Sequence, residues 1–291
     1  MRWPKYSIPT IALAVLALPV QTAEFKYPIF DAHVHYSQPA WAVHSPVQII
    51  AKFDAVGVAR ALVSSTPDDG TLKLLRHAPN RIAPELRPYR TGVTSGNWQM
   101  DGATPGYLAQ RLAQRDYHGI GEFHLQVPRQ INMPVVADVI RLAIEKNLYI
   151  HVHSDADVVT ALFAAEPRLK ILWAHAGLGE NAETVGALMD AQKNLWADLS
   201  LRDSDVSGGG ELDAAWRAVF ERHPDRFMIG SDTWVTSQWD DYEDILNAHR
   251  RWLALLPDQL AKAIAYQNAV RLFGTGGSAE FTANGSAKIK D

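Results

Sequence analysis

The 291-residue sequence contains no cysteine. Disulfide bonds, thiolate metal ligands, a cysteine nucleophile and a lipidated N-terminal cysteine are therefore excluded. Basic residues are not in excess either, because the formal net charge is −4. This balance gives no electrostatic reason to expect a nucleic acid or an anionic membrane surface as a partner. What is present is an ordinary globular composition, 47% hydrophobic and 21% charged, with ample material for a core.

The apolar run near the N-terminus, residues 11–18, is too short to cross a bilayer but has the length of the hydrophobic region of a signal peptide. A short basic start precedes it, and small residues near Thr22 and Ala23 follow it. We therefore expect residues 1–23 to be a secretory signal that is cleaved on export to the periplasm or beyond, with an uncleaved N-terminal anchor as the alternative. No membrane association beyond this segment is expected.

After residue 23, strand-like and helix-like segments alternate. The expected strands cover residues 28–36, 61–65, 82–89, 119–125, 148–153, 169–175, 195–200 and 226–232. Eight strands, each followed by a helix, in about 250 residues are what a (β/α)8 barrel requires. A doubly wound open sheet is the alternative, but the glycine-rich phosphate turn that normally follows its first strand is missing.

We therefore predict an α/β fold, a single-domain (β/α)8 TIM barrel over residues 24–274 with an extra C-terminal helix. Two helices, 239–255 and 258–273, are expected after the last strand. Residues 275–291 are rich in Gly, Ser and Ala and are expected to form a flexible tail.

The first predicted strand carries the motif Asp31-Ala-His33-Val-His35. Residues two apart on a strand point to the same side, so both imidazoles should project from one strand end at a spacing that suits a single metal ion. Taken alone, such a pair is better explained as two histidines bonded to backbone carbonyls. Asp31 is expected on the same face but deeper, as a buried hydrogen-bonded acid rather than a ligand.

Further candidate ligands stand at the C-terminal ends of other predicted strands, which meet at one face of a barrel. Six of the eleven histidines lie on four of these strands. Neutral imidazoles combined with carboxylates favour zinc, manganese, iron or nickel over calcium or magnesium. Besides the first-strand pair, the candidates are Glu122 and His124 on the fourth strand, His151 and His153 on the fifth, His175 on the sixth and Asp232 on the eighth.

This constellation resembles that of the metal-dependent amidohydrolase superfamily, and residues 264–273 are similar to the closing helix of the amidohydrolase-related hydrolases and decarboxylases. The resemblance implies that His33, His35 and Asp232 bind one divalent ion. It places Glu122 where many members have a carbamylated lysine, so that its carboxylate could bridge to a second ion.

The resemblance implies that His153 and His175 hold this second ion. His151 points to the same side of its strand as His153, so the choice between the two is open from the residues alone. We prefer His153 because it lies nearer the strand end and because Ser-Asp follows it, as in the family pattern.

The resemblance implies hydrolysis of a C–O, C–N or P–O bond in a small organic substrate by a metal-activated water. One or two divalent ions are expected, with zinc first and manganese, iron or nickel as alternatives. Asp232 would accept the proton of the attacking water and pass it to the leaving group. A decarboxylase of the same superfamily and a non-catalytic metal-binding protein are the alternatives, and assembly into a homo-oligomer is left open.

Four residues near the same face are candidate substrate contacts. Arg87 could bind a substrate anion, since arginine suits bidentate contacts, although a structural salt bridge is the alternative. Trp234 follows Asp232 and could wall the pocket. The other two are His124, which could instead orient a ligand, and His151.

Overall fold

Eight parallel strands, hydrogen-bonded in chain order, form the centre of the molecule. A parallel bridge between Asp31 and Ile229 connects the end of the last strand to the first. The predicted (β/α)8 barrel is therefore confirmed. In the computed structural model, which describes residues 24–274, 279–281 and 287–289, the barrel strands are β1 (Ile29–Val34), β2 (Val58–Val63), β3 (Ile82–Leu86), β4 (Gly119–His124), β5 (Tyr149–His153), β6 (Ile171–Trp173), β7 (Leu195–Asp198) and β8 (Phe227–Met228).

Helices surround the strands and bury their apolar faces against them. Short 3₁₀ turns occur at Gln38–Ala40, Trp98–Met100, Pro128–Asn132, Ala174–Gly177 and Thr236–Trp239. The α-helices of the described residues are α1 (Pro46–Ala55), α2 (Asp69–His77), α3 (Thr104–Gln114), α4 (Pro134–Glu145), α5 (Ala156–Ala165), α6 (Ala182–Ala191), α7 (Asp203–Ser207), α8 (Ala214–Arg222), α9 (Tyr242–Leu253), α10 (Asp258–Lys262) and α11 (Asn268–Phe273).

The start of α1 shows how local sequence sets a helix boundary. The Ser45 hydroxyl accepts a hydrogen bond from the backbone N–H of Gln48, and the Gln48 side chain accepts one from the backbone N–H of Ser45. This capping box satisfies donors that have no partner within the helix. Pro46 occupies the first helical position, where its missing N–H costs nothing.

A small apolar cluster fills the barrel interior at the end where the strands begin. It takes side chains from several strands, among them Phe30 of β1, Leu62 of β2 and Leu172 of β6. Tyr266 and Phe273 from the C-terminal helices pack against it and close this end of the barrel. The opposite end, where the strands finish, is left for polar side chains.

Register shifts in two strands redirect side chains toward the barrel axis. Between Asp31 and Val34, β1 has an extra residue relative to β2, and β4 has one between Ile120 and Phe123 relative to β5. At the second shift, Gly121 lies so close to β5 that a Cβ atom would be 2.3 Å from a backbone oxygen. Only glycine fits there.

The first shift overturns the expectation that Asp31 shares the face of His33 and His35. The carboxylate of Asp31 instead accepts a hydrogen bond from the hydroxyl of Tyr242 on α9, at 2.8 Å, and others from backbone N–H groups of His33 and Ser231. It is a buried hydrogen-bonded acid as expected, but it faces the surrounding helices because the extra residue breaks the two-residue alternation.

Several element boundaries differ from those predicted. The sixth and eighth strands are short, at Ile171–Trp173 and Phe227–Met228, because the residues that follow leave the ladder to carry site side chains. The helix expected over 239–255 begins only at Tyr242, after a 3₁₀ turn. The helix expected over 258–273 is interrupted by a π-helical turn at Ala263–Gln267.

Two predicted segments lie wholly or partly outside the described residues. Residues 1–23, the predicted signal, are outside them. Within the predicted tail, two short strands, β9 (Ala279–Phe281) and β10 (Ala287–Ile289), pair in antiparallel fashion. No helix in the described part of the chain has the length and apolar character needed to span a membrane.

Candidate metal centre

Four side chains converge at the end of the barrel where the strands finish. His33 Nε2 lies 3.1 Å from His35 Nε2, and Asp232 Oδ1 lies 3.4 and 3.3 Å from these two nitrogens. Glu122 Oε2 lies 3.7 and 3.3 Å from the same pair. Ligand atoms of a tetrahedral ion with bonds of 2.0–2.1 Å are about 3.3 Å apart. The four donors therefore have the spacing that one divalent ion requires.

The orientation of each imidazole is set by its other nitrogen. His33 Nδ1 lies 3.2 Å from Asp198 Oδ2, and His35 Nδ1 donates to the backbone oxygen of Ser64 at 2.6 Å. A histidine that binds a metal through one nitrogen usually donates its other N–H to a carboxylate or carbonyl in this way. Nε2 of both rings is thus directed at the cluster, where a cation could bind it.

His175 and His153 lie on the other side of the Glu122 carboxylate. Glu122 Oε1 is 3.0 Å from His153 Nδ1 and 3.7 Å from His175 Nε2. His175 Nε2 also lies 3.8 Å from Asp232 Oδ2, and its Nδ1 is 2.8 Å from the Ser200 hydroxyl. The structure therefore brings all six predicted metal ligands together, with Glu122 between the pair His33 and His35 and the pair His153 and His175.

Two of these residues adopt a backbone conformation that is rare outside glycine. His175 has φ of 56° and Asp232 has φ of 50°. Such conformations cost about 1–3 kcal/mol each and persist where the surroundings impose them. At Asp232 the backbone N–H donates to the carbonyl of His33 at 2.7 Å, and at the next residue the Thr233 hydroxyl accepts from the N–H of His35 at 3.0 Å. These bonds hold Asp232 over the first strand.

The site keeps its carboxylates ionised. Burial alone would raise the pKa of Glu122, but hydrogen bonds from the surrounding histidines hold that pKa well below its ordinary value. For Asp232 burial is likewise outweighed, chiefly by the charge of His33, and its pKa falls to about 2. Burial opposes the charged form of His33, yet Asp198 and Asp232 raise its pKa well above the ordinary value. Ionised carboxylates in a buried setting are the form that binds a cation.

Below the cluster, His151 is fully buried. Its Nδ1 lies 3.0 Å from Glu85 Oε2, and its Nε2 lies 3.2 Å from Asp198 Oδ2. Burial opposes protonation, but Glu85 raises the pKa of His151 to about 9. Both ring nitrogens of His151 are engaged, and the residue lies below the ligands, so its position does not fit the predicted substrate contact. His151 instead supports the Asp198 carboxylate that holds His33.

A cavity of about 600 Å³ opens above the cluster. The side chains of Arg87, His124 and His153 line it together with Glu122 and Asp232. Another part of its wall is apolar and includes three exposed side chains, Leu178, Leu201 and Trp234.

Three of the four predicted substrate contacts therefore lie on the cavity wall. Trp234 is 61% exposed, so its ring is available to a bound molecule. The Arg87 guanidinium donates to Glu122 Oε2 at 2.7 Å and to the Glu122 carbonyl at 3.0 Å. The salt bridge considered from the sequence is thus present, and it fixes the Glu122 carboxylate. His124 Nδ1 lies 2.9 Å from the hydroxyl oxygen of Tyr89, which is hydrogen-bonding distance.

Sequence reasoning missed the residues that orient the ligands. Asp198 and Ser200 end the seventh predicted strand, so the rule that found Asp232 at the end of the eighth strand could have found them. Ser64 ends the second predicted strand in the same way. Tyr89 ends the third predicted strand and could have been found in the same way. Glu85 lies inside that strand and carries no such signal, because only the register of β3 against β4 brings it to the site.

Comparison with known proteins agrees with this geometry. A family model described as Amidohydrolase matches residues 30–275. No curated protein matches the chain significantly.

Solved structures with a similar fold include a probable 2-pyrone-4,6-dicarboxylic acid hydrolase from Acinetobacter baumannii with citric acid bound. It is 17% identical, with a TM-score of 0.60 over 85% of this chain and 100% of that one. The 5-carboxyvanillate decarboxylase of Novosphingobium aromaticivorans, complexed with manganese and a nitrobenzoic acid, is 12% identical, with a TM-score of 0.57 over 86% of this chain and 96% of that one. The TatD homologue YjjV of Escherichia coli is 16% identical, with a TM-score of 0.60 over 87% and 99% of the two chains.

Proposed function

The chain belongs to the amidohydrolase family, and on that premise we propose that it is a metal-dependent hydrolase of a small organic substrate. The observation that carries the proposal is the position of Asp232. Its Oδ1 lies within 3.4 Å of His33 Nε2 and His35 Nε2, while its side chain also lines the cavity. A carboxylate in that position can both hold a cation and exchange a proton with a bound molecule.

The donor set suits one or two divalent ions. His33, His35, Asp232 and Glu122 would hold the first, and Glu122 with His153 and His175 would hold a second. We propose zinc, because imidazole and carboxylate donors suit it, with manganese, iron or nickel as alternatives; a relative in fold contains manganese. When bound, such an ion polarises a substrate oxygen and lowers the pKa of a water molecule.

The chain's own residues then have separate tasks. Asp232 accepts a proton from the attacking water at Oδ2 and returns it to the leaving group. Arg87 holds the Glu122 carboxylate in place through its bond at 2.7 Å. Trp234, Leu178 and Leu201 offer apolar surface at the cavity wall, so we propose that the substrate has an apolar part beside the bond that is cleaved.

Decarboxylation of an aromatic carboxylate is the second candidate, since a 5-carboxyvanillate decarboxylase shares the fold. We favour hydrolysis because Glu122 supplies a carboxylate with one oxygen toward each side of the cluster, which suits two ions. A single ion would suffice for the decarboxylase.

The test is a substrate screen of metal-loaded protein against lactones, esters, phosphoesters, amides and aromatic carboxylates, with Asp232→Asn as the inactive control. Hydrolysis of one of the first four classes, lost in the variant, is the expected result. Release of carbon dioxide from an aromatic carboxylate would replace the proposal with the decarboxylase. Turnover of none of them by protein that contains metal would favour a non-catalytic metal-binding role.

A further inference from the structure

His124 stands at the cavity without a role in the chemistry so far. It is the last residue of β4, two positions after Glu122, and its ring stacks on that of His153 with 4.2 Å between centroids and 14° between planes. Glu122, His124 and His153 each offer a donor atom within 4.8 Å of one another. That spacing alone permits either a metal ligand or a contact to substrate, and the hydrogen bonds of His124 decide between them.

The hydroxyl of Tyr89 makes two hydrogen bonds to the same residue. It accepts one from the backbone N–H of His124 at 2.8 Å, and it lies 2.9 Å from His124 Nδ1. Within the described part of the chain these are the bonds found for this hydroxyl. Its own hydrogen therefore has a single acceptor, His124 Nδ1, and a buried O–H group without an acceptor is unfavourable.

The tautomer of His124 follows from this arrangement. Since Nδ1 accepts from Tyr89, the ring hydrogen resides on Nε2. Nε2 makes no hydrogen bond with residues 24–274 and is accessible to solvent. Because His124 lines the cavity and its Nδ1 is engaged by Tyr89, Nε2–H is the ring's remaining donor for a molecule bound there.

We propose that His124 is a catalytic residue whose Nε2–H donates a hydrogen bond to the substrate oxygen that gains negative charge, and that Tyr89 is the positioning residue that fixes this tautomer. The proposal rests on the proposed hydrolysis. When water adds to an ester, lactone or amide carbonyl, the new C–O bond forms as the carbonyl electron pair moves to oxygen. His124 stabilises that oxygen and keeps its own hydrogen, while Asp232 takes a proton from the water. When the electron pair returns to carbon, the bond to the leaving group breaks and Asp232 passes that proton to the leaving group. A donor already in place at such a position acts mainly on the transition state.

The same tautomer argues against metal ligation by His124. A nitrogen that carries hydrogen has no lone pair to give to a cation, and the other nitrogen is occupied by Tyr89. The side chains of His33, His35 and His175 differ, since each engages its Nδ1 and directs Nε2 at a carboxylate of the cluster.

The test compares metal-loaded wild type with His124→Leu, His124→Gln and Tyr89→Phe, with His77→Gln as a control on the exposed face of α2. We expect His124→Leu to lower kcat by about 10²–10³-fold with a smaller change in KM. Glutamine offers an N–H near the position of Nε2–H. The kcat of His124→Gln should therefore be at least tenfold higher than that of His124→Leu. Metal content should be unchanged in all four variants.

Nitrogen-15 NMR of histidine-labelled protein supplies the readout that does not depend on turnover. We expect a protonated Nε2 and an unprotonated Nδ1 for the signal that disappears in His124→Leu, and loss of that pattern in Tyr89→Phe. A hydrogen on Nδ1, a fall in metal content in His124→Leu, or full kcat in that variant would each overturn the proposal. If the wild type hydrolysed nothing in the screen, the proposed function would fail, while the tautomer would still be decided by the spectrum.

Discussion

The imidazoles of His33, His35 and His175 in the candidate metal centre are each held by a partner on the nitrogen that faces away from the cluster. For His33 that partner is Asp198, which is fully buried and also contacts His151 Nε2 at 3.2 Å. Burial opposes its charge, but His33 and His151 lower the pKa of Asp198 well below its ordinary value. A carboxylate kept ionised in this position orients the ligand and raises its basicity.

We therefore predict that Asp198→Asn weakens metal binding by about 10–100-fold, because the amide cannot supply the charge that orients His33. Titration of metal-free protein with zinc measures the change. Asp138→Asn, which removes an acid from the exposed surface of α4, should leave the affinity unaltered. Equal affinities in wild type and Asp198→Asn would remove this role, provided that circular dichroism shows both to be folded.

In the proposed mechanism, Asp232 is the residue on which turnover depends most directly. We predict that Asp232→Asn lowers kcat by about 10²–10⁴-fold, because the amide cannot accept the proton of the attacking water. Much of the metal should remain, since three other donors hold the first ion. Steady-state rates and metal analysis on the same sample check both parts. Activity near that of wild type would take the proton-transfer role away from Asp232.

At the scale of elements, the sequence predicted which side chains stand at the strand ends better than it predicted the register of neighbouring strands. His33, Glu122 and Asp232 were found because apolar strands finish in polar side chains, a pattern that residue types reveal directly. The face occupied by Asp31 was wrong because the extra residue in β1 follows from pairing with β2, which periodicity does not contain.

The interruption of the last helix was missed for a similar reason. Residues 258–273 have good helical periodicity, and the wide turn at Ala263–Gln267 responds to packing rather than to a helix-breaking residue. This turn places Tyr266 and Phe273 against the inner ends of the strands. The Asn268 side chain secures it by donating to the carbonyls of Pro224 and Phe227.

We predict that Phe273→Ala destabilises the protein by about 3–5 kcal/mol, because the ring is fully buried in the cluster that closes the barrel. Urea unfolding of metal-loaded protein measures this loss. Val47→Ala, at an exposed position of α1, should change stability by less than about 0.5 kcal/mol. Metal content of folded Phe273→Ala should match wild type, since the ring lies at the other end of the barrel. A loss below 1 kcal/mol would show that the interior collapses around the gap.

For the whole molecule, the barrel separates stability from chemistry. Apolar side chains close one end, and the polar cluster occupies the end where the loops meet, the usual place of an active site in this fold. The architecture could be read from eight alternating units. The set of candidate ligands could be predicted from the residues at the strand ends. The hydrogen bonds that orient these ligands could not, because they depend on the register of neighbouring strands.

We also propose that the protein is exported and works in the periplasm or outside the cell. The support is the sequence of residues 1–23, with its basic start, short apolar run and small residues before Glu24. N-terminal sequencing of protein from a fractionated bacterial host should find a new N-terminus near residue 24 in the exported fraction. An intact Met1 on protein confined to the cytoplasm would contradict export.

The account as a whole depends on a cation at the cluster of His33, His35, Glu122 and Asp232. Elemental analysis of the purified, folded protein, before and after dialysis against zinc or manganese, tests this most directly. We predict one to two equivalents of a divalent transition metal per chain, reduced when His33 and His35 are both replaced by alanine. A wild-type protein that is folded and holds no stoichiometric metal under either condition would contradict the central claim.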